Sequence, residues 1–277
     1  MTDPRHFQPQ GLAGAIEFIR LEETLREFAE GEAFVFVPNP GNWGDGLIRY
    51  ATERFFRANG FRYVSIGLLK AGSSTADELR AAASASKVRV VYGGGGGFLP
   101  QYVIPRRFRR LIKRTDRVLV LPSTFPMPVQ DLGLRRSDVV FRRDAGASLE
   151  FAPGASFCHD MALSIGRIPA SSAGSGAGYF FRRDAEKVME MTIPEGNRDI
   201  SAEGTESTPM ADFLDAIGRF ETVHTNRLHV SIAAAMMGRQ VHLYPNSYFK
   251  NRSIYEASLK LAFPNVTFHQ EYVASAA

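Results

Sequence analysis

The sequence predicts an α/β protein built from two doubly wound domains that face a cleft. Three observations carry this expectation. Short, continuous apolar runs alternate with helical stretches along most of the chain, the pattern of parallel strands buried on both faces and joined by helices. The length of 277 residues suits two domains of about 100–150 residues each. A run of small residues, Pro169–Gly178 (PASSAGSGAG), interrupts the alternation and has the composition of a linker. The expected division is an N-terminal domain over residues 1–168, a linker over 169–178 and a C-terminal domain over 179–277.

Each element has its own signal. Ala33–Val37 (AFVFV) reads as a buried strand, and Asp45–Asn59 as an amphipathic helix stopped by Gly60. Tyr63–Leu69 is strand-like, and Thr75–Ser86 is an Ala-rich helix with Thr75 as its N-cap. Val88–Tyr92 (VRVVY) is a strand that runs into Gly93–Gly97. Pro105–Arg114 is a basic helix, Arg117–Leu121 (RVLVL) and Asp138–Phe141 are strands, and Ser156–His159 ends the last strand of this half. Beyond the linker, Tyr179–Phe181 is a strand, Asp184–Met191 a helix, Pro209–Gly218 a helix and Phe220–His224 a strand. Asn226–Met237 is a helix stopped by Gly238, Val241–Tyr244 a strand, Arg252–Leu261 a helix and Val266–Phe268 the last strand.

Composition excludes several classes. Hydrophobic residues make up 44% and charged residues 22%, ordinary globular values that exclude a disordered chain. The single cysteine, Cys158, allows no intramolecular disulfide and reads as core. The N-terminus MTDPRHFQPQ lacks the apolar run of a secretory signal, and the most apolar stretch, Leu228–Gly238, is too short to span a bilayer. These features predict a soluble protein, or one attached to a membrane surface. The net charge of +4 suits an anionic small substrate, a phosphorylated lipid or a membrane surface. The excess gathers at Arg106, Arg107, Arg109, Arg110, Lys113 and Arg114, a solvated face or a contact with an anionic surface. No nucleic-acid module and no aromatic interleaving accompany it, so no nucleic-acid partner is expected.

Open α/β sheets bind ligands where strands end and helices begin, and several such junctions carry unusual chemistry. In Asn39-Pro40-Gly41-Asn42-Trp43-Gly44-Asp45, Asn42 and Asp45 suit either a capped turn, with Trp43 packing locally, or a substrate hydroxyl. The run Gly93–Gly97, including Gly94, Gly95 and Gly96, suits either an anion nest of backbone N–H groups or close packing. Pro100 and Pro105 set it apart from a dinucleotide fingerprint, and no Gly-Lys-Ser/Thr follows it as in a Walker loop. In His224-Thr225-Asn226-Arg227-Leu228-His229, Thr225 or Asn226 caps a helix, which puts Arg227 and His229 in its first turn. Cations there oppose the helix dipole, so an anion is expected between them. At Arg182-Arg183-Asp184 one arginine is expected to face the cleft, with Asp184 as a helix cap or as the arginine's ion-pair partner. At Cys158-His159-Asp160, Asp160 caps Met161–Ile165, and His159 either touches an acceptor or is a buried structural residue.

The order Gly-Asn-x-Gly-Asp after the first strand, a polyglycine loop after a later strand and an Arg-Leu-His helix start resembles the polysaccharide pyruvyl transferases, from about residue 34 to residue 260. The resemblance implies a glycosyltransferase-B-like fold of two Rossmann-like domains, with the acceptor on the N-terminal side and the donor on the C-terminal side. It implies transfer of pyruvyl from phosphoenolpyruvate to a sugar of an exopolysaccharide or cell-wall glycan, often lipid-linked at the cytoplasmic membrane face, giving a pyruvate ketal and phosphate. It assigns donor contacts to Arg227 and His229 and to one of Arg182 and Arg183, with Arg182 first because of its Arg-x-Asp spacing. Leu228 and Asn226 flank that arginine and complete the expected donor segment; Asn226 stands where an aspartate is often found. No metal or cofactor is expected beside the donor substrate. Two arginines and a helix N-terminus match the carboxylate and phosphate of such a donor, and a histidine is a suitable acid or base near neutral pH. The alternatives are a nucleotide-sugar glycosyltransferase of the same overall fold and a non-catalytic anion-binding protein.

Overall fold

The protein is described by a computed structural model, which covers residues 11–170, 172–189 and 191–272. The N-terminal decapeptide, on which the absence of a signal was read, lies outside the described residues, as does Ser171 of the small-residue run. Contacts group the chain into two units. One consists of Gly14–Gly41 and Ile48–Ser164. The other includes Asn42–Leu47 and the chain from Ile165 onward.

The first unit holds a six-stranded sheet in the order β2-β1-β3-β4-β5-β6. Its strands are β1 (Phe34–Pro38), β2 (Tyr63–Ser65), β3 (Arg89–Gly93), β4 (Arg117–Ser123), β5 (Val139–Arg142) and β6 (Ser156–Phe157), and every pairing is parallel. The order in which strands are added reverses at β1, which lies between β2 and β3. Right-handed crossovers running both ways from there put helices on both faces. Accordingly β1, β3 and all but the first residue of β4 are buried throughout. Val35, Val37, Val90, Tyr92, Val118 and Val120 pack with α3 (Leu68–Ser73), α4 (Ala76–Ala83) and α5 (Ile104–Ile112). On the opposite face Phe34 and Phe36 meet Phe56 of α2 (Trp43–Ala58) edge to face.

Local signals account for much of this unit. Thr75 caps α4: its hydroxyl accepts from the Glu78 N–H while the Glu78 carboxylate accepts from the Thr75 N–H. In α5, Ile104, Pro105, Phe108, Leu111 and Ile112 are buried, while Arg106 and Arg110 within it and Lys113 and Arg114 just past its end are exposed. Two readings are corrected. The strand expected to run to Leu69 ends at Ser65, because Leu68 begins α3 and buries its side chain there. Helix α1 (Ile16–Ala29), which was not anticipated, buries Phe18, Leu21, Leu25 and Phe28.

The second unit holds a four-stranded parallel sheet in the sequential order β10-β9-β8-β7. Its strands are β7 (Ala177–Phe180), β8 (Thr222–Thr225), β9 (Gln240–Leu243) and β10 (Val266–Phe268). Helices α6 (Met210–Gly218) and α7 (Leu228–Met236) connect the first three strands. Helix α8 (Lys250–Ile254) continues through a π-helical turn, Tyr255–Leu259, into α9 (Lys260–Ala262) and leads to β10. The expectation of a second doubly wound sheet is corrected. Strands added always on the same side, each by a right-handed crossover, put every helix on one face. Burial alternates to match: Val223, Thr225, Val241 and Leu243 are fully buried, whereas Tyr179, His224 and His242 are only partly covered.

The helix expected over Asp184–Met191 does not form among its described residues, which are turns and irregular chain. Asp184 and Glu186 instead enter ion pairs, so Asp184 caps no helix.

Candidate active site at the carboxyl edge of the second sheet

The carboxyl ends of β7 and β8 deliver Arg182 and Arg227. Asn226, fully buried, ties the two strand ends together. Its side-chain carbonyl accepts from the Arg182 N–H at 2.7 Å, and its backbone carbonyl accepts from Asn251 Nδ2 at 2.8 Å. Asn226 therefore holds the strand ends and does not cap α7. The residue preceding α7 is Arg227, whose backbone is extended (φ −90°, ψ 110°) and whose N–H donates to Thr225 Oγ1 at 2.9 Å. His229 follows in the first turn and is half-buried. Leu228 is buried and serves as packing at the helix start.

In this structure Arg227 is paired within the chain. Its Nε and Nη2 donate to the two oxygens of Asp199 at 2.8 and 2.7 Å, and its Nη1 lies 2.8 Å from Asp184 Oδ2. Asp184 in turn accepts from Arg182 Nε at 2.7 Å and Nη2 at 3.0 Å. Arg182 Nη1 donates to Glu186 Oε2 at 2.8 Å, and Lys250 Nζ donates to the same oxygen at 2.5 Å. The result is a ladder of alternating charge: Lys250, Glu186, Arg182, Asp184, Arg227, Asp199. Burial opposes ionisation of Asp184, but the hydrogen bond and charge of Arg182 and the charge of Arg227 outweigh it and hold the carboxyl below its ordinary value. Arg182 is likewise raised above its usual range: burial works against its charge, and Asp184 and Glu186 more than compensate. The ladder separates the two adjacent arginines. Arg182 is buried within it, whereas Arg183 is exposed and borders a pocket of about 500 Å³ with Lys187, Glu195 and Asn197. Asp199, Glu186, Lys250 and Asn246 were not anticipated. Only the acid-rich Asp184-x-Glu186 spacing after the arginine pair offered a signal; Asp199 sits in irregular chain with no periodic context.

The start of α2 belongs to the same unit. Asn42 Oδ1 accepts from the Gly44 N–H at 2.8 Å, and Asp45 Oδ2 accepts from the Asn42 N–H at 3.0 Å. These residues therefore cap the helix reciprocally. Trp43 packs on Phe213 and donates its indole N–H to Pro209 O at 3.0 Å. A Cβ on Gly204 would come within 2.5 Å of the Trp43 ring, so glycine is needed there. A Cβ on Gly44 would stand 2.7 Å from His229 Nδ1. Gly44 thus lets the imidazole lie against the backbone of the α2 start.

The residues singled out in the first unit have structural partners. Gly94 and Gly95 take positive φ and donate their N–H groups to Tyr92 O and Pro122 O, so these amides serve the sheet edge. A Cβ on Gly97 would collide with Asn39 Oδ1, and close packing explains that glycine too. Gly96 continues the run between them. His159 is buried, lies edge to face with Phe157 and has Nε2 3.4 Å from a Glu17 oxygen. Burial lowers its pKa, with Glu17 pulling the other way. Asp160 is fully buried, pairs with Arg143 and accepts from the Ala162 N–H at 2.9 Å. The buried set Arg143, Asp144 and Ser148 was not anticipated: Arg143 Nε donates to Thr124 Oγ1, and Asp144 accepts from the Ser148 N–H and hydroxyl. Among the described residues, no group of three or more His, Cys, Asp or Glu is arranged to hold a metal ion.

Parallel sheets, one of them with a ladder of paired charges at its strand carboxyl ends, define a Rossmann-like α/β protein. A family model for polysaccharide pyruvyl transferases matches residues 42–248, and the chain belongs to that family of transferases. It is also similar, at 26% identity and a TM-score of 0.71, to the crystal structure of a functionally uncharacterised protein from Klebsiella pneumoniae. That likeness covers 91% of this chain and 98% of the other. No curated protein matches the chain.

Proposed function

We propose that the protein transfers pyruvyl from phosphoenolpyruvate to a sugar of an exopolysaccharide or cell-wall glycan, forming a ketal and releasing phosphate. The observation that carries this is the pair Arg182 and Arg227 at adjacent strand ends, bridged by one carboxylate, with His229 two residues further on. Paired guanidiniums recognise planar carboxylates through parallel N–H groups, and the donor contains such a group beside its phosphate. In the proposed reaction a proton adds to the methylene carbon of the donor and C2 becomes electrophilic. Two sugar hydroxyls add at C2 and lose their protons, and the C2–O bond to phosphate breaks. His229 is the group placed to move a proton. Supporting roles follow from the geometry: Asp199 orients Arg227 through a two-point contact, and Asn226 spaces the arginines.

The finer assignments belong to the same proposal: a glycosyltransferase-B-like pair of domains, no resident cofactor, a polyprenyl-pyrophosphate-linked acceptor, and work at the inner face of the cell membrane. Among the described residues no helix is long and apolar enough to cross a membrane. The exposed basic side of α5 is the surface proposed to meet anionic lipid or the acceptor's pyrophosphate. The test is phosphate release from phosphoenolpyruvate across a panel of polyprenyl-pyrophosphate-linked acceptors. Acceptor-dependent release, absent in Arg227→Ala, is expected. Turnover with nucleotide sugars in its place would move the protein to the glycosyltransferases.

A further inference from the structure

We propose that the Asp184 carboxylate is a placeholder: it fills the seat of the donor's carboxylate between Arg182 and Arg227 and leaves when the donor binds. The inference rests on the donor reading above. The two oxygens of Asp184 engage three donors from two guanidiniums, Arg182 Nε and Nη2 and Arg227 Nη1, and Oδ1 also accepts from the Glu186 N–H at 3.0 Å. That is the arrangement in which an arginine pair grips a planar carboxylate. The three carboxylates of the ladder are not equivalent. The side chains of Glu186 and Asp199 are 8% and 10% exposed, while that of Asp184 is 40% exposed.

The further bond of Asp184 is to backbone two residues away, whereas the other two carboxylates are also held by residues distant in sequence. Glu186 holds Lys250 and accepts from Asn246 Nδ2. Asp199 accepts from the Arg183 N–H at 2.9 Å as well as gripping Arg227 in two places. Asp184 stands in a turn outside any helix or strand, so rotation of its side chain gives up the Glu186 N–H bond but unwinds no element. With Asp184 seated, the charges of the ladder cancel. With it swung out, two guanidiniums face an unmatched position, and a carboxylate of the same shape restores the balance. Because its pKa is held below the ordinary carboxylate value, Asp184 stays ionised at neutral pH and competes there.

The test is calorimetric binding of phosphoenolpyruvate, pyruvate and inorganic phosphate to the wild type, Asp184→Asn and Asp184→Ala. The Ala variant, which removes both oxygens, keeps the comparison open if the Asn variant folds poorly. Phosphoenolpyruvate and pyruvate are expected to bind the variants about tenfold more tightly, the factor that follows if the seat is open about one time in ten in the wild type. Inorganic phosphate is expected to change little. If the wild type binds phosphoenolpyruvate and the variants bind it no better or worse, Asp184 is a fixed strut for the arginines and the placeholder is overturned. If phosphate gains and pyruvate does not, the seat belongs to the phosphoryl group and the carboxylate assignment is overturned. If neither the wild type nor a variant binds phosphoenolpyruvate, the donor reading itself fails.

Discussion

The two sheets use the same strand chemistry and the same parallel pairing, yet they treat their second faces and their carboxyl edges differently. In the first sheet the chain runs both ways from β1, helices cover both faces, and the central strands are buried throughout. Its edge chemistry is closed into structure: Arg143 pairs with Asp160, and the glycine run bonds to neighbouring carbonyls. In the second sheet the strands follow in sequence, one face is left partly open, and the edge carries a ladder of charges with a solvent-exposed member at its centre. Strand order thus decides what the same kind of residue does. A buried ion pair with every bond internal is scaffold, whereas a ladder with an exposed rung is available for exchange with a ligand.

The largest expected effect is on the second edge. His229→Ala should lower turnover by about 10²–10⁴-fold, as expected for loss of a proton-transfer group, and leave the melting temperature nearly unchanged. A variant with normal turnover removes the catalytic role. Next, Arg143→Ala in the first unit should cost about 3–5 kcal/mol of stability, because Asp160 would be left charged and buried. Denaturant unfolding measures this, and a loss confined to activity would break the contrast between the two edges. Third, the two faces of the second sheet should respond unequally. Leu243→Ala, on the covered face, should cost about 2–5 kcal/mol, and His242→Ala, on the partly open face, under about 1 kcal/mol. Equal costs would mean that both faces are packed alike.

The open face should also make the second unit acid-sensitive. His224 stacks on Tyr179 and His242, and His242 Nδ1 lies 2.8 Å from His269 Nε2. Burial, with the charges of His242 and His269, lowers the His224 pKa from 6.5 to about 4. Between these values the unfolded chain binds the proton that the folded protein refuses, so this contribution to stability is present above pH 6.5 and is lost as pH falls toward about 4. Melting curves across that range should show the decline, and His224→Asn should flatten it. The last effect concerns α5 and falls on binding alone. Reversing Arg106, Arg110 and Lys113 should weaken binding to anionic liposomes by about 1 kcal/mol per charge without changing stability, since the buried side of the helix is untouched. Unchanged liposome binding would reduce that side to a solvated face.

Much of the fold was legible because its signals are local. The apolar runs that became β1, β3 and β4 and the Thr75 capping box depend on residues a few positions apart, and the structure places them as read. The misses have equally specific causes. Helix α1 carries an apolar stripe at Phe18, Leu21, Leu25 and Phe28, but no capping side chain marks its start at Ala15. The Asp184–Met191 segment has helix-forming residues, but its carboxylates are held by Arg182, Arg227 and Lys250, and those ion pairs outweigh weak propensity. Of the site, Arg182, Arg227 and His229 stood out through their junctions, while the partners that hold them did not.

The sequence by itself determined the central strands β1, β3 and β4, the Thr75 cap of α4, and which junctions carry cations. Hydrophobic period and capping act over a few residues, so the chain records them directly. The tertiary structure alone decided the rest. Sequential order leaves one face of the second sheet partly open, and parallel alignment of β7, β8 and β9 brings Arg182, Arg227 and Lys250 to one edge. Asp199, distant in sequence from either arginine's strand end, completes the ladder because a carboxylate and a guanidinium held that close become mutual neutralising partners. No local pattern encodes that pairing, since it depends on where the folded chain places both groups.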